Sequence, residues 1–231
     1  MNLDRVIKVC ERHNLPNRFR PVIPEPYAPY IPKSWNGILI LAEAQNLSKR
    51  SQEYRTKLRT LSKKDRILRL YVDILPDGVG IQPWDNGALK LAALAMYPKE
   101  SLERFAVSNA VPWSIVKGND SNKNPTDSIE KRASDFWIEI LPIIKPKRII
   151  CAGRVASRVI GDNASATMLR LPAPHFINGL SDLFDHRDLL NRYPEVSKAL
   201  STLPGARSMK DRPGKILYAC HAVSKSKADA L

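Results

Sequence analysis

The chain has 231 residues, 43% of them hydrophobic and 26% charged, which suits one large folded domain or two small ones and not a disordered chain. A net charge of +14 calls for a polyanionic partner, nucleic acid or an anionic membrane surface. The longest apolar runs, ILILA and RIICAG, are too short to span a bilayer, and MNLDRVIKVCERHN lacks the apolar core of a secretory signal, so a cytoplasmic protein is expected.

In chain order, Leu3, Val6, Ile7 and Cys10 recur at helical spacing and predict a short opening helix. Six prolines between Pro16 and Pro32 predict an extended arm wrapping the surface. GILILA (37–42) reads as a buried strand. Residues 48–72 read as a basic, helical segment with Leu58, Leu61, Leu68 and Tyr71 as its apolar positions. Between Lys49 and Arg69, nine basic residues face only Glu53 and Asp65, a net of +7 and half of the total charge. A surface built for solubility alone mixes its signs, so this stretch is expected to bind phosphates.

LPDGVGIQPWDNG (75–87) is a loop and ALKLAALAMY (88–97) a helix stopped by Pro98. FAVSNAV (105–111) predicts the second strand, and KGNDSNKNPT the turn after it. Thr126 or Asp127 caps a helix with Ile129, Phe136, Ile140 and Ile144 on its apolar face. RIICA (148–152) is a third strand, VASRVIG a short helix, and MLRLP (168–172) a fourth strand. Residues 180–201 form a helix interrupted near Pro194, and a basic tail with the apolar run KILYACHAV follows.

Strands alternating with helices predict an α/β fold. The expectation is a single three-layer α/β/α domain over residues 1–231, around a central, mostly parallel four-stranded sheet. Its appendages are an N-terminal helix and Pro-rich arm (1–36), a basic insertion (48–72) and a basic C-terminal extension (205–231).

The P-loop, GxGxxG, GxSxG and HExxH signatures are absent. Cys10, Cys151 and Cys220 show no CxxC pairing, and the four histidines lack metal-ligand spacing. Neither a metal nor another cofactor is expected.

Three polar residues instead follow predicted strands: Glu43 after ILILA, Asn109 at the end of the second, and His175 after the fourth. Ligands bind at such strand ends in α/β sheets. Carboxylate, amide and imidazole together suit cleavage of an N-glycosidic bond. The amide reads the base edge, the carboxylate stabilises a cationic sugar or orients water, and the imidazole stabilises the departing base anion. Each has a bland alternative. Asn109 also suits a strand-end turn, and Glu43 a helix N-terminus. His221 also follows an apolar run, although the helix expected at 180–201 favours His175.

The order of segments resembles the uracil-DNA glycosylase superfamily, most of all its GEAPG-motif branch. ILILAEAQN (38–46) is similar to that strand and motif, with Glu43 at the glutamate position. QPWDNGALKLAAL (82–94) resembles the PFVGxAG segment, SNAVPW with GNDSNKNPT the asparagine strand and its loop, and KPKRIICAGRVAS (145–157) the P-K-x-I-x-x-x-G-x-x-A segment. LPAPHFINGL (171–180) occupies the place of the histidine motif. Ala42, Gln45 and Asn46 depart from the first motif, and Trp113 and Ala133 stand where cluster cysteines belong.

The resemblance implies a monomeric, monofunctional DNA glycosylase without an iron–sulfur cluster. Glu43 and His175 are its catalytic residues, and Asn109, Trp84, Ala44 and Gln45 hold the base. Lys49, Arg50, Arg55, Lys57, Lys63, Lys64 and Asn178 are expected to contact DNA, the basic ones by their charge, and Phe176 to Leu180 are expected from their position to supply a wedge. The altered first motif and the long basic insertion favour a bulky modified pyrimidine, such as glucosylated hydroxymethylcytosine of phage DNA. Uracil repair and a non-catalytic DNA-binding module are the alternatives.

Overall fold

The computed structural model describes residues 2–47, 52–74, 87–116, 126–161, 165–178, 180, 183–203 and 213–229. Four strands, β1 (Ile38–Leu47), β2 (Ala106–Val116), β3 (Arg148–Ala152) and β4 (Thr167–Leu171), form one wholly parallel sheet in the order β2–β1–β3–β4. Helices cover both faces, giving the expected three-layer α/β/α arrangement.

Burial on both faces explains why the strands read as nearly continuous apolar runs. Side-chain alternation then divides each strand between two cores. Ile38, Ile40, Val107, Ile150, Leu169 and Leu171 pack with α5 (Ala88–Met96), α9 (His186–Arg192), α10 (Pro194–Thr202) and α11 (Pro213–Ala228). Leu39, Leu41, Ala106, Ala110, Ile149 and Cys151 pack with α1 (Leu3–Arg12), α6 (Asp127–Ile144) and α7 (Arg154–Ile160). Each such aliphatic side chain contributes roughly 1.5–3 kcal/mol when fully buried. The predicted apolar face of α6 is buried as expected, and Asn2 caps α1 by accepting the Arg5 N–H at 3.2 Å.

The arm differs from its expectation. It does not wrap the outside; residues 22, 23 and 25–32 are buried along the open edge of β2. Val22 N–H donates to the Ser114 carbonyl (2.8 Å), Tyr27 N–H to Pro112 (2.9 Å), and Tyr30 and Val107 exchange bonds at 3.0 Å. Prolines suit such a strap, because an edge needs pairing at only some positions and further partners are then blocked.

The basic segment is helical as expected, in three short pieces, α2 (Gln52–Thr60), α3 (Lys63–Ile67) and α4 (Arg69–Ile74). Ser62 caps α3 by accepting the Asp65 N–H at 3.1 Å. Two of its cations turn inward. Arg66 pairs with buried Glu25 at 2.9 Å, and Arg69 is fully buried, so neither faces a phosphate.

The predicted tail is also corrected. Residues 213–228 are the helix α11, whose Ile216, Tyr218, Ala219, Cys220, Ala222 and Val223 complete the core beneath α5. Apolar residues at helical spacing, not strand spacing, explain the run KILYACHAV. The helix expected from residue 180 begins only at His186, capped by Asp185, and divides at Tyr193 before Pro194.

Candidate active site

Carboxyl ends of all four strands open on one rim of the sheet, the side on which parallel α/β folds hold ligands. Leu41 is opposite both Ser108 and Cys151, and it is the last residue of β1 paired on both sides. One residue further β3 and β4 end, with Ala152 opposite Leu171, and β1 and β2 continue as a two-stranded ribbon with an irregularity between Ala44 and Asn46. Both strands are therefore longer than the sequence indicated, and Glu43 and Asn109 lie within them, not at their ends. They nevertheless stand where the sheet narrows, level with the last residues of β3 and β4.

Asn109, opposite Ala42, is 5% exposed. Its Nδ2 donates to the hydroxyl of Tyr27 in the arm. The Arg69 guanidinium stacks on that Tyr27 ring at 4.2 Å and donates to Ser114 Oγ at 3.0 Å. The turn alternative for Asn109 is excluded: its amide bonds a buried side chain from a distant segment.

Glu43 is one residue further along β1, so its side chain leaves the opposite face from Asn109. Its Oε1 accepts the Val155 N–H at 3.1 Å, in the first turn of α7. Carboxylates are favoured there by the helix dipole. Gly153, at φ +120°, makes room for this contact; a methyl group at that position would collide with the Glu43 side chain. Ala44 is half-buried opposite Val111.

His175 follows β4 at the same rim, exposed on the short helix α8 (Pro174–Asn178), with its ring against Phe176. The neighbouring chain is unusual. Phe176, Leu180, Leu183 and Phe184 are 67%, 45%, 73% and 49% exposed, a concentration of large apolar side chains that soluble surfaces avoid without a partner. His221 instead sits half-buried within α11, with its pKa lowered by burial and by Lys225 one turn on. It does not follow a strand.

Of the expected phosphate contacts, Lys57, Lys63 and Lys64 are exposed, and Lys63 lies 3.6 Å from Glu11. Trp84, Lys49 and Arg50 lie outside the described residues, as do the side chains of Gln45, Arg55 and Asn178. Trp113 and Ala133 pack in the α6-side core.

Burial pushes the thiols of Cys10, Cys151 and Cys220 up to about 12, so none is a nucleophile at neutral pH. Among the described residues, no three His, Cys, Asp or Glu side chains are placed to hold a metal ion, and no helix is long and apolar enough to cross a membrane. A cavity of about 600 Å³ lined by Trp137, Leu141, Lys145 and Val159 lies where α6 and α7 end, at the opposite edge of the sheet.

Sequence reasoning missed Tyr27 and Arg69, because an aromatic in a Pro-rich arm and a cation in a basic run look ordinary. Leu183 and Phe184 were more legible. They form an apolar pair inside the polar stretch SDLFDHRD. Exposed Arg154, the residue after Gly153, adds a cation to the rim.

No protein-family model matches the chain, and no curated protein matches it.

Proposed function

We propose that the protein is a monomeric DNA glycosylase that extrudes a modified or deaminated base and hydrolyses its bond to the sugar. The observation that carries this reading is the grouping on one sheet rim of Asn109, Glu43, exposed His175 and the apolar side chains from Phe176 to Phe184. A flipped base leaves a gap in the stack, and apolar side chains beside the site are suited to fill it. The exposed lysines of α2 and α3 add phosphate attraction.

In the reaction the base leaves with the electron pair of its bond to C1′, and the oxygen of water forms the new bond to C1′. Glu43 binds α7 through one oxygen, and the other makes no hydrogen bond among the described residues. That second oxygen orients the water and takes its proton. His175 stabilises the negative charge on the departing base. The product is an abasic site in an intact strand. A bulky modified pyrimidine such as glucosylated hydroxymethylcytosine is the favoured substrate, with uracil as the repair alternative.

A second reading, a DNA-binding module without catalysis, draws on one observation. The Asn109 amide and the Glu43 carboxylate leave opposite faces of the sheet, and each already has a structural partner. Incubation with DNAs containing uracil, hypoxanthine, hydroxymethyluracil, hydroxymethylcytosine and its glucosylated form separates the two. Free base by mass spectrometry with alkali-labile sites supports the enzyme; tight binding with no free base supports the module.

A further inference from the structure

A guanidinium stacked on an aromatic ring uses its face, and its N–H edge stays free to bind a phosphate. Two such stacks meet on one ring in the turn that opens the arm. The Arg18 guanidinium lies 5.0 Å from the centre of the Phe19 ring, and that of Arg132, from α6, lies 5.6 Å from it. Among the described residues neither guanidinium has an ion-pair partner. Nearby acids do not neutralise them: Glu130 is held by Arg158 through bonds of 2.6 and 2.8 Å, and Asp135 is exposed. Arg20 follows in the left-handed region at φ +53° and adds a third exposed or half-exposed cation.

This turn stands on the rim that carries the candidate site. Pro21 bridges to Ile115 near the carboxyl end of β2. Helix α6 joins that end of β2 to the amino end of β3, so Arg132 in its second turn belongs to the same rim. Phe19 packs on the core shared by α1, α6 and α7, the face by which Glu43 also leaves the sheet. On the other flank Leu58 packs with Val22 and Ile23, which seats α2, with exposed Lys57 and Arg59, on the next residues of the arm. The turn offers charge and no exposed large apolar side chain, which suits a phosphodiester backbone and not a membrane. We propose that Arg18 and Arg132, stacked on Phe19, form a phosphate-binding site that carries a DNA strand from α2 across the end of β2 to α6. The inference takes from the reading above only that DNA is the partner.

The test is fluorescence anisotropy of a labelled DNA duplex across a salt series, with circular dichroism to check folding. The proteins are the wild type, Arg18→Gln, Arg132→Gln and the control Lys99→Gln. Lys99 is an exposed cation between α5 and the start of β2, at the opposite rim. Each arginine variant should flatten the log–log salt slope by about 0.9, the loss of one phosphate contact, while Lys99→Gln leaves it unchanged. Arginines that only pin the arm would lower the denaturation midpoint and leave the slope alone. An unchanged slope in either folded arginine variant therefore overturns the proposal. So does an equal fall in all three variants, which would reflect net charge alone. Base release by the wild type with unaltered slopes overturns this proposal and leaves the glycosylase reading standing; no salt-dependent DNA binding by the wild type overturns both.

Discussion

The Glu43 carboxylate reaches across from β1 to accept the Val155 N–H of α7 at 3.1 Å. A strand residue thereby does what a helix cap does, because Gly153, the residue before α7, has no side chain to offer. Structural and catalytic roles of Glu43 are separable by substitution. Glu43→Gln retains an acceptor for Val155 but loses the charge, so excision should fall by roughly 10²-fold while stability changes little. Glu43→Ala loses both, with an added cost of about 0.5–2 kcal/mol, the range for a lost cap. Urea denaturation beside single-turnover kinetics distinguishes the two effects.

Gly153→Ala meets two obstacles at once, a φ of +120° and the Glu43 side chain. Backbone strain of this kind costs on the order of 1–3 kcal/mol. A fall in the unfolding free energy of that size is expected, with the loss reduced when Glu43→Ala is introduced in the same chain. Strict additivity of the two would show that they do not meet.

Lys57 and Lys64 are exposed, whereas Lys63 has Glu11 beside it. Replacing either of the first two by Gln should weaken DNA binding and flatten the log–log salt dependence by about 0.9 per lost phosphate contact. Lys63→Gln should have a smaller effect. Fluorescence anisotropy across a salt series checks both.

Hydrogen bonds from His13 and Arg12 hold the Glu139 carboxyl below its ordinary value of 4.5 and tie α1 to α6. A lowered folded value stabilises the protein above the ordinary value and loses that contribution as pH falls through the lower one. Glu139 is partly exposed and solvent-screened, so its contribution is at most about 1 kcal/mol. Glu139→Gln should therefore lower the denaturation midpoint slightly at pH 7 and by less at an acid pH below the ordinary carboxylate value. An equal shift at both values would contradict the linkage.

Most of the sheet was legible in the sequence, because apolar runs between turn residues mark buried parallel strands whatever surrounds them. GILILA, RIICA and MLRLP became β1, β3 and β4, and the apolar face of α6 was visible residue by residue. What escaped depended on contacts distant in sequence. Nothing local shows that Pro16–Pro32 straps β2, that Arg69 is buried against Tyr27, or that Val155 waits for Glu43. Pro112 made β2 look shorter than it is, since proline usually ends a strand; on a strapped edge its carbonyl is still used, by Tyr27. At the rim, residue types suggested the chemistry, but which sheet face each side chain leaves needed the register.

Excision of a base by groups on the sheet rim is decided by single-turnover base release from wild type, His175→Ala and Glu43→Gln. His175 is exposed, so its removal should leave the fold intact. Release of one base by the wild type is expected, with a loss of roughly 10²-fold or more in each variant. Release slowed less than threefold in both variants would contradict it.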